Sequence, residues 1–131
     1  MRKDKQGFTL VEIMIVVAII ALLAAIAIPS LLRARISANE ALAQSTLKTI
    51  STAAEQYAND NSGSYPTEIT SLTTGGNMAY LNSAYCETTV SGYEYNCAFT
   101  SASYTLTAGP DVDATTGTTT YTMTTGSVLT P

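Results

Sequence analysis

Glu12 is the only charged residue between Phe8 and Leu32, in a stretch made almost wholly of Leu, Ile, Val, Ala and Met. An ionised carboxylate in hydrocarbon costs about 2.5–3.5 kcal/mol even on lenient insertion scales. An acid placed there needs a partner, a proton or a route to the interface. The remaining reactive groups are few. Cys86 and Cys97 are the only thiols, and the chain has no His. Two Cys without imidazoles cannot complete a zinc set, so outside the membrane a Cys86–Cys97 disulfide is the better reading, with two buried thiols as the alternative. Asp111 and Asp113 sit in GPDVDATTG, a stretch with the composition of a turn.

These groups do not make an enzyme. A bridged Cys pair leaves no free thiol nucleophile. After Lys48 there is no Lys or Arg to clamp an anion, and nothing resembles a Gly-rich phosphate loop. The same charge pattern excludes nucleic acid as a partner of the C-terminal part. All six cations, Arg2, Lys3, Lys5, Arg33, Arg35 and Lys48, lie in the first 48 residues of the chain, and seven acids follow. Nothing there could neutralise phosphates.

The elements that must carry these residues follow from periodicity. Residues 1–7, MRKDKQG, form a short basic leader, and residues 8–32 are apolar on every side. Twenty to twenty-five helical residues span roughly 30–37 Å, about the thickness of a bilayer core. The basic cluster before the run favours a cytoplasmic N-terminus, although Arg33 and Arg35 on the far side weaken that signal. Pro29 near the end of the run removes a backbone hydrogen bond and predicts a kink, since helical pattern continues beyond it.

Residues 33–60 turn amphipathic. Leu32, Ile36, Ala43, Leu47, Ile50, Ala54 and Tyr57 step by threes and fours, apart from one gap that Asn39 or Glu40 fills. Glu40, Gln44, Lys48, Ser51 and Glu55 lie mostly off that stripe, and NDNSG at 59–63 supplies the stop. The expectation is one helix of about 50 residues, roughly 75–80 Å long.

Residues 61–131 read as a globular β-rich domain. GYEYNCAF (92–99), ASYTLTAG (102–109) and TTTYTMTT (118–125) alternate large and small side chains with period two. Segment 62–91 reads as a loop with a helical turn near Ile69 and Leu72. The fold class is therefore α+β. One long N-terminal helix, membrane-spanning in its first half and amphipathic in its second, packs on a small antiparallel sheet. So thin a core benefits from a staple such as Cys86–Cys97.

KQGFTLVEIMIVVAIIALLAAIAIP resembles the N-terminus of type IV pilins and of the pseudopilins of type II secretion. YANDNSGSYP (57–66) and the closing stretch 104–128 are similar to the same family, less specifically. The resemblance implies cleavage by a prepilin peptidase between Gly7 and Phe8, with N-methylation of the new Phe8 amine. Three cations and one acid would leave with the leader, taking the net charge from −4 to −6. It also gives Glu12 a partner. The Phe8 amine of one subunit would pair with Glu12 of a neighbour as the helix leaves the membrane for the filament core, so the acid would set assembly register.

The function implied is a structural subunit of a type IV pilus-like filament. The alternative is a major pseudopilin of a type II secretion system. Implied partners are further copies in a helical filament, the prepilin peptidase, a pilus assembly platform and the inner membrane, with no cofactor. The implied location is the inner membrane before assembly and an extracellular pilus, or periplasmic pseudopilus, afterwards. Because major pseudopilins bind calcium in a C-terminal loop, Asp111 and Asp113 become weak calcium candidates, against the plainer reading of a solvated turn. A secreted domain behind an ordinary signal peptide is the rival from another class. It fails on the length of the apolar run and on the acid near its start.

Overall fold

In a computed structural model, residues 7–74, 79–111 and 116–131 are described. The elements are α1 (Leu10–Asp60), α2 (Thr70–Thr73), β1 (Thr88–Val90), β2 (Tyr93–Thr100), β3 (Ser103–Pro110), β4 (Tyr121–Thr124) and β5 (Val128–Thr130). Contacts divide the chain into two units, Met1–Ala34 and Arg35–Pro131, with α1 running through both.

In the first unit α1 buries almost nothing. Its large apolar side chains stand open, from Leu10 at 75% to Leu31 at 72%. Among the described residues this is the one helix long and apolar enough to cross a membrane by length and composition. Pro29 lies inside α1 and the helix continues past it. Having no N–H, Pro29 leaves the Ala25 carbonyl without its usual helical donor.

In the second unit α1 has one buried face. Ala43, Leu47, Ile50 and Ala54 are buried and meet the inward side chains of the sheet: Tyr93 and Tyr95 from β2, Tyr104 and Leu106 from β3, Tyr121 and Met123 from β4. The stripe starts later than the periodicity predicts, for Leu32 is 41% exposed. Ser51, expected off the stripe, is fully buried. The helix stops as expected. Ser62 and Gly63 both take positive φ, and the Gly63 amide returns to the Ala58 carbonyl at 2.8 Å, which satisfies an end carbonyl that the helix would otherwise leave open.

The sheet is an antiparallel meander in the order β1-β2-β3-β4-β5. Each neighbour in sequence is a neighbour in space, so short turns suffice. Ser91 and Gly92, both at positive φ, make the two-residue β1–β2 turn, whose backbone twist suits right-twisted strands. The three alternating stretches appear as β2, β3 and β4. β1 falls in the segment read as loop, and β5 was not expected either. Each is only three residues long and fully or mostly exposed, so neither shows an apolar alternation. α2 forms where a helical turn is predicted, and its Leu72 carbonyl accepts the amides of Tyr80 and Leu81.

Candidate functional site

The candidate assembly residues lie at the start of α1. Phe8 is 86% exposed, and Gly7 has open space around it. Thr9 precedes the first helical residue. Its amide and its hydroxyl each donate to Glu12 Oε2 at 2.8 Å, and its Oγ1 accepts the Glu12 amide at 3.2 Å. This is a reciprocal capping box: the residue before the helix and the acid three positions on satisfy each other's orphan groups. Glu12 thus has a partner inside its own chain. The carboxylate also sits in the first turn, where the helix dipole favours negative charge. The T-x-x-E spacing at 9–12 carries this signal, and a reading centred on charge overlooks it. Oε1 of Glu12 makes no hydrogen bond among the described residues, so half of the carboxylate is open to a further donor.

Cys86 and Cys97 are joined by a disulfide with Cα atoms 5.6 Å apart. It ties the segment leading into edge strand β1, two residues before the strand starts, to β2. The Glu87 amide donates to the Tyr95 carbonyl beside it at 2.7 Å. Asp111 follows β3 and is exposed, its amide bonded to the Gly92 carbonyl at 2.8 Å. Asp113 lies outside the described residues. Among the described residues no three acids, Cys or His converge in a way that could hold a metal.

Two polar clusters hold the sheet to α1; periodicity marks Asn39 or Glu40 as filling a gap in the apolar stripe but names no partner for either. Asn39 Nδ2 donates to the Thr116 carbonyl at 2.9 Å, while Glu40 Oε1 accepts the amide and hydroxyl of Thr118 at 3.2 and 3.1 Å. The gap in the apolar stripe is therefore filled by both residues, as anchors of the strand-connecting segment. The second cluster centres on Glu55. Its Oε1 accepts the Tyr104 hydroxyl at 2.8 Å and the Gly126 amide at 3.0 Å, and its Oε2 accepts the Tyr65 hydroxyl at 3.0 Å. Since Tyr104 gives its proton to Glu55, Ser51 must donate to Tyr104 (2.8 Å), and Ser127 then donates to Ser51 (2.7 Å). Burial pushes the Glu55 carboxyl up, but the Tyr104, Gly126 and Tyr65 donors outweigh it and hold the group below the usual carboxylate range. Burial pushes the Tyr104 hydroxyl upward as well, and here nothing outweighs it, so the group stays a protonated donor. Tyr95 is the exception to this satisfaction. Its buried hydroxyl has no hydrogen-bond partner among the described residues, and burial pushes it upward, against a weaker downward pull from the neighbouring Thr46 side chain.

Residues 2–28 match the family described as the prokaryotic N-terminal methylation motif. The chain carries that motif. Over part of its length it is homologous to type IV pilins and to a type II secretion protein. It is 46% identical over 59 residues to the type IV wide pilus major component of Thermus thermophilus, covering 45% of each protein. It is 38% identical over 60 residues to the type II secretion system core protein G of Pseudomonas aeruginosa, covering 46% of this chain and 42% of that protein. The type IV major pilin protein of Myxococcus xanthus is 46% identical over 52 residues, 40% of this chain and 24% of its own length. The chain spans less than half the length of each of these curated relatives. No solved structure matches it significantly. The methylation motif takes in Gly7, Phe8, Thr9 and Glu12, so the capping box lies within that motif.

Proposed function

We propose that this chain is the structural subunit of a type IV pilus-like filament, held in the inner membrane before assembly and extracellular afterwards. The observation that carries the reading is the exposed apolar surface of α1 from Leu10 to Leu32, inside and beyond a methylation motif. A surface apolar on all sides must be covered, first by lipid and then by the same helices of neighbouring copies. Residues 1–7 act as the leader, and a prepilin peptidase cuts between Gly7 and Phe8 and methylates Phe8. The open Oε1 of Glu12 then receives the Phe8 amine of a neighbour, while Oε2 stays with Thr9. Pro29 is the point at which α1 bends or loosens as the helices pack. Residues 33–131 form the outward domain, and a pilus assembly platform extracts the subunit.

The test is direct. Sheared surface filaments should contain a protein whose N-terminus is methylated Phe8. Recovery of the protein only as a soluble species cut near Ile28 would end the reading.

A second reading, a major pseudopilin of type II secretion, draws on the similarity to core protein G. Deleting the chain's gene separates the two. Loss of surface filaments supports the first reading, and loss of protein export with surface filaments intact supports the second.

A further inference from the structure

Beyond Arg35, the unit Arg35–Pro131 has one cation, Lys48, against eight acids. Lys48 is exposed on α1, between Ser45, Thr49 and Thr52. The positions three and four residues away are Gln44, Ser45, Ser51 and Thr52, so the helix offers it no acid. The nearest acids along α1, Glu40 and Glu55, are committed to Thr118 and to Tyr104, Tyr65 and Gly126. Among the described residues its ammonium pairs with no carboxylate.

A different face of the same unit has the complementary chemistry. Ile69, Phe99 and the Cys86–Cys97 bridge line a groove of about 250 Å³, and Glu68 and Glu87 stand at it. Both acids are exposed, and Glu87 makes no side-chain hydrogen bond among the described residues. The space is small against the ~300–1,000 Å³ of ordinary ligand pockets. Thr67 also lines it, so the lining is mixed, and apolar walls of Ile69, Phe99 and the bridge with carboxylates beside them suit one long side chain that has an apolar stem and a cationic head, which is how Lys buries itself at surfaces. The groove and the Lys48 surface share no lining residue. Contacts between two different patches of identical chains can continue from copy to copy, which a filament requires.

We propose that this groove is an interface with a second copy of the chain and takes that copy's Lys48, its ammonium between Glu68 and Glu87. The proposal rests on the filament reading above and adds a contact outside the apolar helices.

The experiment uses filaments of the full processed chain, assembled from a mixture of ¹⁴N- and ¹⁵N-labelled subunits and treated with a carbodiimide. That reagent joins an amine to a carboxylate with loss of water and adds no spacer. The expected product is a peptide linking Lys48 to Glu68 or Glu87 with one label on each side. Links made only within one label class, links from Lys48 to other acids such as Glu94 or Asp60, or no Lys48 link overturn the proposal while the filaments themselves uphold the filament reading. Absence of any wild-type filament overturns both. As a second arm, Lys48→Glu should lower the filament-to-membrane ratio about fivefold, near the upper range for an exposed pair. Glu68→Lys with Glu87→Lys should do the same, and the combination of all three should restore it. A triple variant no better than the others would also overturn the contact.

Discussion

Thr9 and Glu12 cap each other: two hydrogen bonds run from Thr9 to Glu12 Oε2 and one returns from the Glu12 amide to Thr9 Oγ1. The acid in the apolar run therefore has a structural task in the single chain, before any neighbour is present. Capping and pairing with a neighbour's amine place different demands on the side chain. A cap needs an acceptor, which Gln also provides, whereas pairing needs the negative charge.

Glu12→Gln separates the two roles. It should insert, be processed and keep its helix start, yet enter filaments at reduced frequency when produced beside the wild type. Glu12→Val should lose both functions and assemble still less. Removing one member of a buried pair costs about 3–5 kcal/mol, lessened where water or headgroups reach the site. The measurement is the mutant-to-wild-type ratio in filament and membrane fractions. Equal ratios for Glu12→Gln would leave capping as the acid's only role.

Thr9→Val tests the cap alone, since it keeps shape and the Glu12 charge but removes the hydroxyl that makes two of the three bonds. Loss of such a cap costs about 1 kcal/mol. Amide hydrogen exchange of the detergent-solubilised chain should show faster exchange at Val11–Ile13 and unchanged exchange beyond Ile50. No change at the helix start would mean that the cap contributes nothing in a lipid-like medium.

Glu55 predicts how stability depends on pH. Burial raises its folded-state pKa, but the hydrogen bonds from Tyr104, Gly126 and Tyr65 outweigh that and hold it below the unfolded value. A carboxyl with a depressed folded pKa contributes stability that is fully present above the unfolded value, about 4.3 for Glu, and lost as pH falls through the folded value. The thermal midpoint of the full chain in detergent should therefore fall below about pH 4.5. Glu55→Gln should have a lower midpoint at neutral pH and a shallower acid slope. A mutant slope equal to the wild type's would assign the acid sensitivity to other carboxylates.

Much of this fold was legible because it depends on periodicity. β2 and β4 alternate throughout and β3 over most of its length, and Leu47, Ile50 and Ala54 fall on one helical face. What escaped notice depends on partners distant in sequence. Ser51 reads as surface until Tyr104 and Ser127 are seen to close over it, and Asn39 and Glu40 read as a gap until Thr116 and Thr118 reach them. β1 and β5 are edge strands too short and too exposed to leave a pattern. Of the candidate site, the positions of Phe8 and Glu12 were plain from their residue types. The Thr9 bond is equally present as the T-x-x-E spacing, a signal that is independent of the charge that points Glu12 toward other chains.

The disulfide should matter for the outward domain rather than for membrane insertion. Closing so short a loop contributes about 2.5–3 kcal/mol in the chain-entropy account, a large share of the stability of a domain with this thin a core. The double variant Cys86→Ser, Cys97→Ser should insert and be processed normally but show a lower thermal midpoint and faster proteolysis near β1. Unchanged protease resistance would mean that the sheet pairing of β1 suffices without the bridge.

Gly117 gives the sharpest packing test. It is buried, and a Cβ added there would collide with the Tyr93 ring and its hydroxyl. That hydroxyl donates to the Thr119 carbonyl at 3.1 Å, so the ring cannot swing aside without losing its bond. Gly109 is the control, because a Cβ there would meet only Thr120, no closer than 3.7 Å. Gly117→Ala should destabilise the domain by about 1–3 kcal/mol, the usual cost of overpacking. Gly109→Ala should change it by less than about 1 kcal/mol, within the range of a small strand-propensity effect. Chemical denaturation of the two variants beside the wild type decides it. If Gly117→Ala were as stable as Gly109→Ala, Tyr93 would have a second position in the core, and its bond to Thr119 would not be holding the segment that returns to Glu40.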